Sequence, residues 1–184
     1  MNFEKKVGGG ESGSEAAFGC RRRVMAVVDG GAPAKQAMMW ALTHVSNKGD
    51  ILTLLRVIPH SDHSPSSSSS SSSKKEERAR LLVSSLASLC KACRPEVEVE
   101  ALVIRGHKLA TVLSQVKKLE ISVLVLSQTK PSLLSCLMMS RKENFVEQCI
   151  EKADCSAMAV RKQSNGVGGY LVSTRCQRNF WLLA

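Results

Sequence analysis

Short, wholly apolar segments alternate with helical patterns of apolar residues along most of this chain. Residues 24–28 are apolar throughout, and Asp29, two glycines and a helical pattern over residues 33–45 follow them. A second apolar run, residues 51–58, begins directly after Gly49 and Asp50. This succession of strand, turn, helix, turn and strand is typical of the βαβ unit of a parallel sheet. Asp29 then lies at the carboxyl end of the first strand, where such sheets bind their ligands.

The same alternation continues to about residue 160. It predicts helices over residues 74–93 and 143–152, and another that follows a turn at Gly106 and carries Leu109, Val112, Leu113 and Val116. It predicts strands over residues 96–103, 121–126 and 156–160. Glutamates alternate with apolar residues in the third strand, which indicates a sheet edge with one solvated face. The first and fourth strands are apolar on both faces, as central strands of a parallel sheet are.

Five strands alternating with four helices predict an α/β fold, a three-layer α/β/α sandwich around a five-stranded parallel sheet. Neighbouring central strands one and four, with strand three at an edge, give the order 3-2-1-4-5. The gap between strands one and four is then the topological switch point, where ligands bind in open α/β sheets.

Composition divides the chain into three parts. Residues 1–20 are rich in Gly, Ser and Glu and are expected to form a disordered tail. Residues 21–161 form the α/β domain, with a flexible serine linker at 61–73 inside it. Residues 162–184 are a C-terminal extension in which Tyr170 to Val172 could form a short edge strand. Its apolar end, Phe180 to Leu183, is expected to pack on the domain or on a partner.

Charge and cysteine content limit the function classes. The formal net charge is +10, but Lys and Arg are scattered and aromatic residues make up only 4%, so specific nucleic-acid binding is not expected. Seven cysteines without a regular framework favour a reducing compartment, the cytoplasm or alternatively the nucleus. No apolar run reaches the length of a membrane span, and the first residues lack a secretory signal. Organelle targeting by these first residues is left open.

Several candidate sites have simpler structural explanations. Cys90 and Cys93 form a lone CxxC on the apolar stripe of a helix, which favours core packing over redox or metal chemistry. His44 and His107 have no evident catalytic partner in the sequence, and no metal site is expected. A metal site would otherwise come from His60, Asp62 and His63 in the linker. The serine run could accept phosphates, although a plain linker is the simpler interpretation. Residues 133–139 could expose a partner-binding patch or cover the switch-point cleft.

The stretch VMAVVDGG, the following AMMWALTHVSNKGDILTLLRVI and the later NFVEQCIEKADCSAMAVRK resemble the universal stress protein family. The tail GYLVSTRCQRNFWLLA is similar to that of a plant subgroup of this family. The resemblance implies a fold close to the adenine-nucleotide hydrolases and frequent dimerisation through the last strand. In one branch of the family it also implies ATP bound at the switch point.

In that branch Asp29 would contact the base and Val57 would flank it. Ser127 and Lys130, after strand four, are further candidate nucleotide-binding residues, and Lys130, Arg141 and Lys142 could attract phosphates through their charge. The branch carries a glycine-rich loop there, whereas this chain has no glycine between Gly106 and Gly166. Glycines let bare backbone N–H groups approach phosphates, and side chains or a proline prevent that approach.

The sequence therefore predicts a stress-response module with a degenerate nucleotide site and no cofactor, which is non-catalytic and acts through protein partners. These partners could include a second copy bound through the last strand or the tail. The alternative is an ATP- or AMP-binding switch, or a slow ATPase, that uses Asp29. The same Asp29 could instead be a helix N-cap or turn residue.

Overall fold

A computed structural model of the protein describes residues 21–60, 69–129, 141–163, 169–176 and 180–182. In order, the elements are β1 Arg23–Val27, α1 Ala32–Trp40, a π-helical turn Ala41–Val45, β2 Ile51–Ile58, α2 Ser69–Cys93, β3 Glu98–Arg105, α3 Lys108–Lys118, β4 Val123–Ser127, α4 Arg141–Lys152, β5 Ser156–Lys162, β6 Tyr170–Thr174 and β7 Phe180–Leu182.

The sheet has the order β3-β2-β1-β4-β5-β6-β7. Its first five strands are parallel, which confirms the predicted three-layer α/β/α fold and the order 3-2-1-4-5. β6 and β7 extend the sheet in antiparallel fashion beyond β5. The apolar end of the chain thus joins the domain's own sheet, and β6 is not an edge strand because β7 lies outside it.

Two apolar clusters separate the layers. One contains Val24, Ala26, Leu52 and Leu54 together with side chains from α1 and α2. The other contains residues of opposite parity in the same strands, such as Met25, and side chains from α3 and α4. β1 and β4 are buried on both faces because a helical layer covers each face, as their unbroken apolar sequences predict.

The helix α2 begins at Ser69, five residues earlier than predicted. The serine linker assigned to residues 61–73 is therefore wrong for residues 69–73, whereas residues 61–68 lie outside the described part of the chain. Serine is a weak helix former. However, extending a nucleated helix adds a hydrogen bond for each residue that is fixed, so the long helical sequence that follows can recruit serines. The predicted tail, residues 1–20, also lies outside the described residues.

The first helix ends in a π-helical turn that periodicity did not predict. The Ser46 N–H donates to the Ala41 carbonyl at 2.9 Å, across five residues, and the Ser46 hydroxyl donates to the same oxygen at 3.1 Å. Arg94 donates to the carbonyls of Leu42 and Ser46, which satisfies further acceptors at this helix end.

Candidate functional site at the carboxyl edge of the sheet

The carboxyl ends of β1 and β4 meet at the centre of the sheet. From β1 the chain turns into α1 on one face, and from β4 it reaches α4 on the other face. This divergence defines the topological switch point, where open α/β sheets form their ligand-binding cleft. The candidate residues Asp29, Val57 and Ser127 lie at this carboxyl edge of the sheet.

Asp29 follows β1 by two residues, and its side chain is 41% exposed. The helix α1 begins instead after Gly31, whose position as N-cap provides no side-chain hydrogen bond. The interpretation of Asp29 as a helix N-cap is therefore wrong. Between them Gly30 adopts φ +90, a left-handed conformation that glycine tolerates without strain and that turns the chain from β1 towards α1.

The carboxylate of Asp29 is paired with an ammonium group of the same chain. Lys108, the first residue of α3, places its Nζ 3.3 Å from Asp29 Oδ2. The same Nζ lies 4.3 Å from the centre of the Phe145 ring on α4, a cation–π contact. The loop after β1 and the helix α4 thus both contact the ammonium group at the start of α3.

The other predicted residues lie at the same edge in neighbouring strands. Val57, the last residue but one of β2, is half-buried and packs on the cluster beneath α3 and α4. Ser127 ends β4, is half-buried, and lies opposite Val160 of β5. Lys130 lies outside the described residues. The structure therefore brings three of the four predicted residues to the ends of adjacent strands β2, β1 and β4.

Two basic residues at this edge were missed by the sequence analysis. No local pattern in the sequence indicates that Lys108 contacts Asp29, because the two residues are 79 positions apart. Arg56 could have been noticed, because it is the only charged residue in the apolar run of β2. Its NH1 group donates to the Val28 carbonyl at 3.3 Å, and its Nε is buried without a hydrogen-bond partner among the described residues. Leu82 of α2 packs beside Gly30, close to the Arg56 guanidinium.

The candidate cysteine pair separates into one core residue and one surface residue. Cys90 is buried, and burial raises the pKa of its thiol to about 11. Cys93 is exposed, so the prediction that it belongs to the apolar stripe is wrong. A raised pKa keeps the buried thiol protonated and unreactive, which suits core packing rather than redox chemistry.

His44 is the described histidine with a close hydroxyl neighbour. Its Nδ1 lies 2.7 Å from Thr43 Oγ1, but that hydroxyl also lies 2.9 Å from the Met39 carbonyl. A hydroxyl has one proton, and donating it to the carbonyl leaves the imidazole N–H to donate to Oγ1. The imidazole stacks on Trp40 with ring centres 5.6 Å apart, so packing accounts for its position. Within the described residues, no three His, Cys, Asp or Glu side chains form a group that could hold a metal ion.

None of the helices in the described parts of the chain combines the length and the apolar character that crossing a bilayer requires.

Comparisons with known proteins identify the family and related folds. Residues 21–161 match the model of the universal stress protein family. The universal stress protein UspA from Lactobacillus plantarum superposes with a TM-score of 0.63 at 17% identity, covering 77% of this chain and 99% of that one. An Arabidopsis thaliana family member with AMP bound superposes with a TM-score of 0.56 at 18% identity, covering 79% and 95%.

A third structure, a universal stress protein in complex with cAMP, has a TM-score of 0.57 at 13% identity, covering 76% and 97%. Identities this low show a common fold. A comparison with curated proteins gave no match. The family model, however, covers most of the chain together with the β1–β4 cleft, and this chain belongs to the universal stress protein family.

Proposed function

We propose that this protein is a non-catalytic stress-response module in which the nucleotide position is degenerate and needs no cofactor, and that it acts through contacts with other proteins. The observation that carries the proposal is the 3.3 Å ion pair between Lys108 and Asp29. The carboxylate available to a base at the end of β1 already has a cationic partner supplied by the chain itself.

A ligand that displaces Lys108 from Asp29 disturbs the contacts of Lys108 with both Asp29 and Phe145. A base that contacts Asp29 must take its carboxylate from Lys108, and Lys108 must then leave the ring of Phe145 or recruit another anion. The phosphates gain little in return. The stretch after β4 has no glycine between Gly106 and Gly166, and Pro131 lacks the N–H group that a phosphate cradle uses.

The described residues offer little support for catalysis. In the Thr43–His44 pair, the hydroxyl donates its proton to the Met39 carbonyl and the imidazole N–H donates to the hydroxyl oxygen, so the imidazole does not act as a base towards that hydroxyl. They also lie beyond α1, roughly 20 Å along a helix from Asp29. Catalysis by a nucleophile and its base requires both groups at one reacting atom.

Contacts with other proteins are favoured by a groove on the outer side of α2. It has a volume of about 410 Å³. Its lining residues are Ser73, Glu76, Glu77, Arg80, Leu81 and Arg105. Leu81 is 65% exposed, and among the described residues it is the large hydrophobic side chain that is most open to solvent. Glu76 accepts hydrogen bonds from Arg80 and Arg105, which lower the pKa of its carboxyl below the ordinary 4.5. The groove thus combines one exposed apolar side chain with acidic and basic groups, and a partner protein could bury the former and pair with the latter.

The compartment and lineage complete the proposal. Free thiols at Cys93 and Cys176 suit a reducing compartment, and we place the protein in the cytoplasm, with the nucleus as the alternative. The aromatic tail supports the plant subgroup of the family.

A second candidate function is an AMP- or ATP-binding switch. Two relatives of the same fold are described with AMP and with cAMP bound, and Asp29 lies at the matching end of β1. In this case Lys108 would move from Asp29 to a phosphate.

Calorimetric titration with ATP and AMP separates the two candidates. The variants are Asp29→Ala, Lys108→Met and the control Lys117→Met, which removes a lysine paired at 3.1 Å with Asp154 on the exposed surface. The degenerate site predicts no saturable micromolar binding in the wild type or in the control. Saturable micromolar binding that Asp29→Ala abolishes would overturn it and support the switch. Binding that appears only in Lys108→Met would show that the ion pair is what closes the site.

A further inference from the structure

One hydroxyl, that of Ser73, lines the groove on the outer side of α2. Ser73 is exposed in the second turn of this helix. The hydroxyls of Ser85 and Ser88, further along α2, donate to helix carbonyls, whereas that of Ser73 has no hydrogen-bond partner in the described part of the chain. We propose that Ser73 is a phosphorylation site for a protein kinase that recognises acidic residues, and that its phosphate binds an arginine of the same groove.

Helix capping does not account for the sequence at this position. Ser73 and Glu76 have the spacing of a capping box, in which a serine at the N-cap and a glutamate three residues later each accept a backbone N–H. The helix begins four residues earlier, at Ser69, so Ser73 lies inside α2 and is not its N-cap. The Glu76 carboxylate instead accepts hydrogen bonds from Arg80 and Arg105.

The residues after Ser73 match the requirement of an acidophilic kinase. Glu76 and Glu77 follow it by three and four positions, and kinases choose their substrates largely by such charge patterns. The kinase must also extend the acceptor segment, which means opening the start of α2. Four serines, which are weak helix formers, precede Ser73 in the helix, and helix ends open at low free energy.

The transfer uses ATP and Mg²⁺, which the kinase binds. The Ser73 Oγ forms a bond to the γ-phosphorus of ATP, the bond from that phosphorus to the bridging oxygen breaks, and ADP leaves. The hydroxyl proton passes to the aspartate of the kinase catalytic loop. The product is a phosphoserine with a charge of roughly −1.5 to −2 at pH 7.

The groove offers guanidinium groups to this phosphate. Arg105, at the end of β3, lines the groove together with Ser73 and donates from Nε and NH2 to Glu76 Oε2 at 2.9 and 2.5 Å. A phosphate carries more charge than a carboxylate and has three acceptor oxygens, so it competes with Glu76 for Arg105. Repulsion from Glu76 and Glu77, at i+3 and i+4, is weak by comparison because such pairs on a helix surface are solvated.

Phosphorylation changes the charge balance of the groove. Two glutamates and two arginines line it, and the phosphate adds up to about two negative charges. If the groove binds other proteins, as the proposed function holds, the modified groove favours a basic partner over an acidic one. The phosphorylation site itself can be tested without a partner or a nucleotide titration, so it can fail while the proposed function stands.

The test incubates the full chain with ATP, Mg²⁺ and an acidophilic serine/threonine kinase, and locates each phosphate by mass spectrometry with electron-transfer fragmentation. Ser73→Ala removes the acceptor. Glu76→Gln combined with Glu77→Gln removes the recognised charges and keeps the acceptor. Ser88→Ala is the matched control, because Ser88 is likewise an exposed serine of α2 but Lys91 follows it by three residues.

Within residues 61–93, the first phosphate is expected at Ser73 in the wild type and in Ser88→Ala. Its rate of incorporation is expected to fall at least about 10-fold in the double glutamine variant. A first phosphate at another serine of this range would overturn the proposal. So would an unchanged rate in the double variant.

Phosphorus NMR of the singly phosphorylated protein then tests the contact with the groove. The second pKa of the phosphate is expected to be lower in the wild type than in Arg105→Gln, because a nearby guanidinium favours the dianion. Lys75→Gln is the control, since it removes an exposed cation near Ser73 that is not among the groove residues. A phosphate pKa that is the same in the wild type and Arg105→Gln would overturn the proposed contact.

Discussion

The Nζ of Lys108 lies 3.3 Å from Oδ2 of Asp29, and the two side chains are 39% and 41% exposed. Ion pairs with this much solvent contact contribute under about 1 kcal/mol, because water screens the charges and two side chains lose freedom. The pair therefore adds little to the stability of the fold, and a ligand that takes Asp29 from Lys108 loses no more than this amount.

A double-mutant cycle measures this directly. Asp29→Ala and Lys108→Met are each expected to change the free energy of unfolding by less than about 1 kcal/mol, with a coupling free energy of about 0.5 kcal/mol. Urea denaturation followed by circular dichroism gives all four values. A coupling above about 2 kcal/mol would contradict this expectation and would mean that Lys108 holds Asp29 strongly enough to exclude a competing ligand.

Asp50 is expected to matter far more for stability, because its carboxylate is buried and fully used. Its Oδ1 accepts from the Arg22 N–H at 3.2 Å and its Oδ2 from the Asn47 N–H at 2.8 Å, which fixes the turn before β2. Asp50→Ala leaves both donors without a partner and is expected to cost about 2–4 kcal/mol of unfolding free energy. The control is Asp154→Ala at an exposed pair with Lys117, where the expected change is within about 0.5 kcal/mol. Equal urea midpoints for the two variants would contradict this assignment.

The parts of the structure that the sequence predicted are those in which a local pattern reports burial. β1 is apolar from Val24 onwards and β4 is apolar as far as Leu126, because helices cover both faces, and this placed the two strands together at the centre. The alternating glutamates of β3 likewise marked its edge position. Lys108 could not be found in this way, since it and Asp29 are 79 residues apart and only the packed fold brings them together.

At the start of α2 the sequence predicted a linker for serines that are helical in the structure. Their composition favoured a linker, but helix propagation from the sequence that follows overrode composition. The π-helical turn after α1 was missed for a third reason. Its hydrogen bonds from the Ser46 N–H and hydroxyl to the Ala41 carbonyl span five residues, and apolar periodicity does not report such bonds.

Gly106 and Gly49 are expected to resist substitution for different physical reasons. A Cβ on Gly106 would lie 2.4 Å from Thr111 Oγ1, whereas one on Gly49 would meet nothing within 4 Å. Gly106→Ala is therefore expected to cost about 1–3 kcal/mol through overpacking, and truncation by Thr111→Ala is expected to recover part of that loss.

Gly49→Ala is expected to cost about 1–2 kcal/mol through its left-handed φ of +85, and Thr111→Ala should not change that cost. Asparagine at position 49 should cost less than alanine, because it tolerates that conformation better. Thermal denaturation of the single and double variants distinguishes the two mechanisms. Identical costs for Gly106→Ala with and without Thr111→Ala would show that the Cβ contact is not what limits this site.

Thiol reactivity provides a test of the two buried cysteines. Burial raises the pKa of the Cys90 thiol to about 11 and that of Cys149 to about 12, although Lys108 acts in the opposite direction on Cys149. Both thiols should stay protonated at neutral and mildly alkaline pH. Cys93 and Cys176 are exposed. Because the thiolate is the species that reacts, raising the pKa from 9.0 to about 11 lowers the reactive fraction on the order of 100-fold.

In the folded protein a maleimide at pH about 8 is therefore expected to modify Cys93 and Cys176 at least on the order of 100-fold faster than Cys90 and Cys149. Peptide mass spectrometry after timed quenching gives the four rates. In denaturant the rates should become similar, because unfolding exposes Cys90 and Cys149 and removes the burial that raises the pKa of both thiols. Rapid modification of Cys90 in the folded state would contradict its assignment to the core and would reopen a redox role for the Cys90–Cys93 pair.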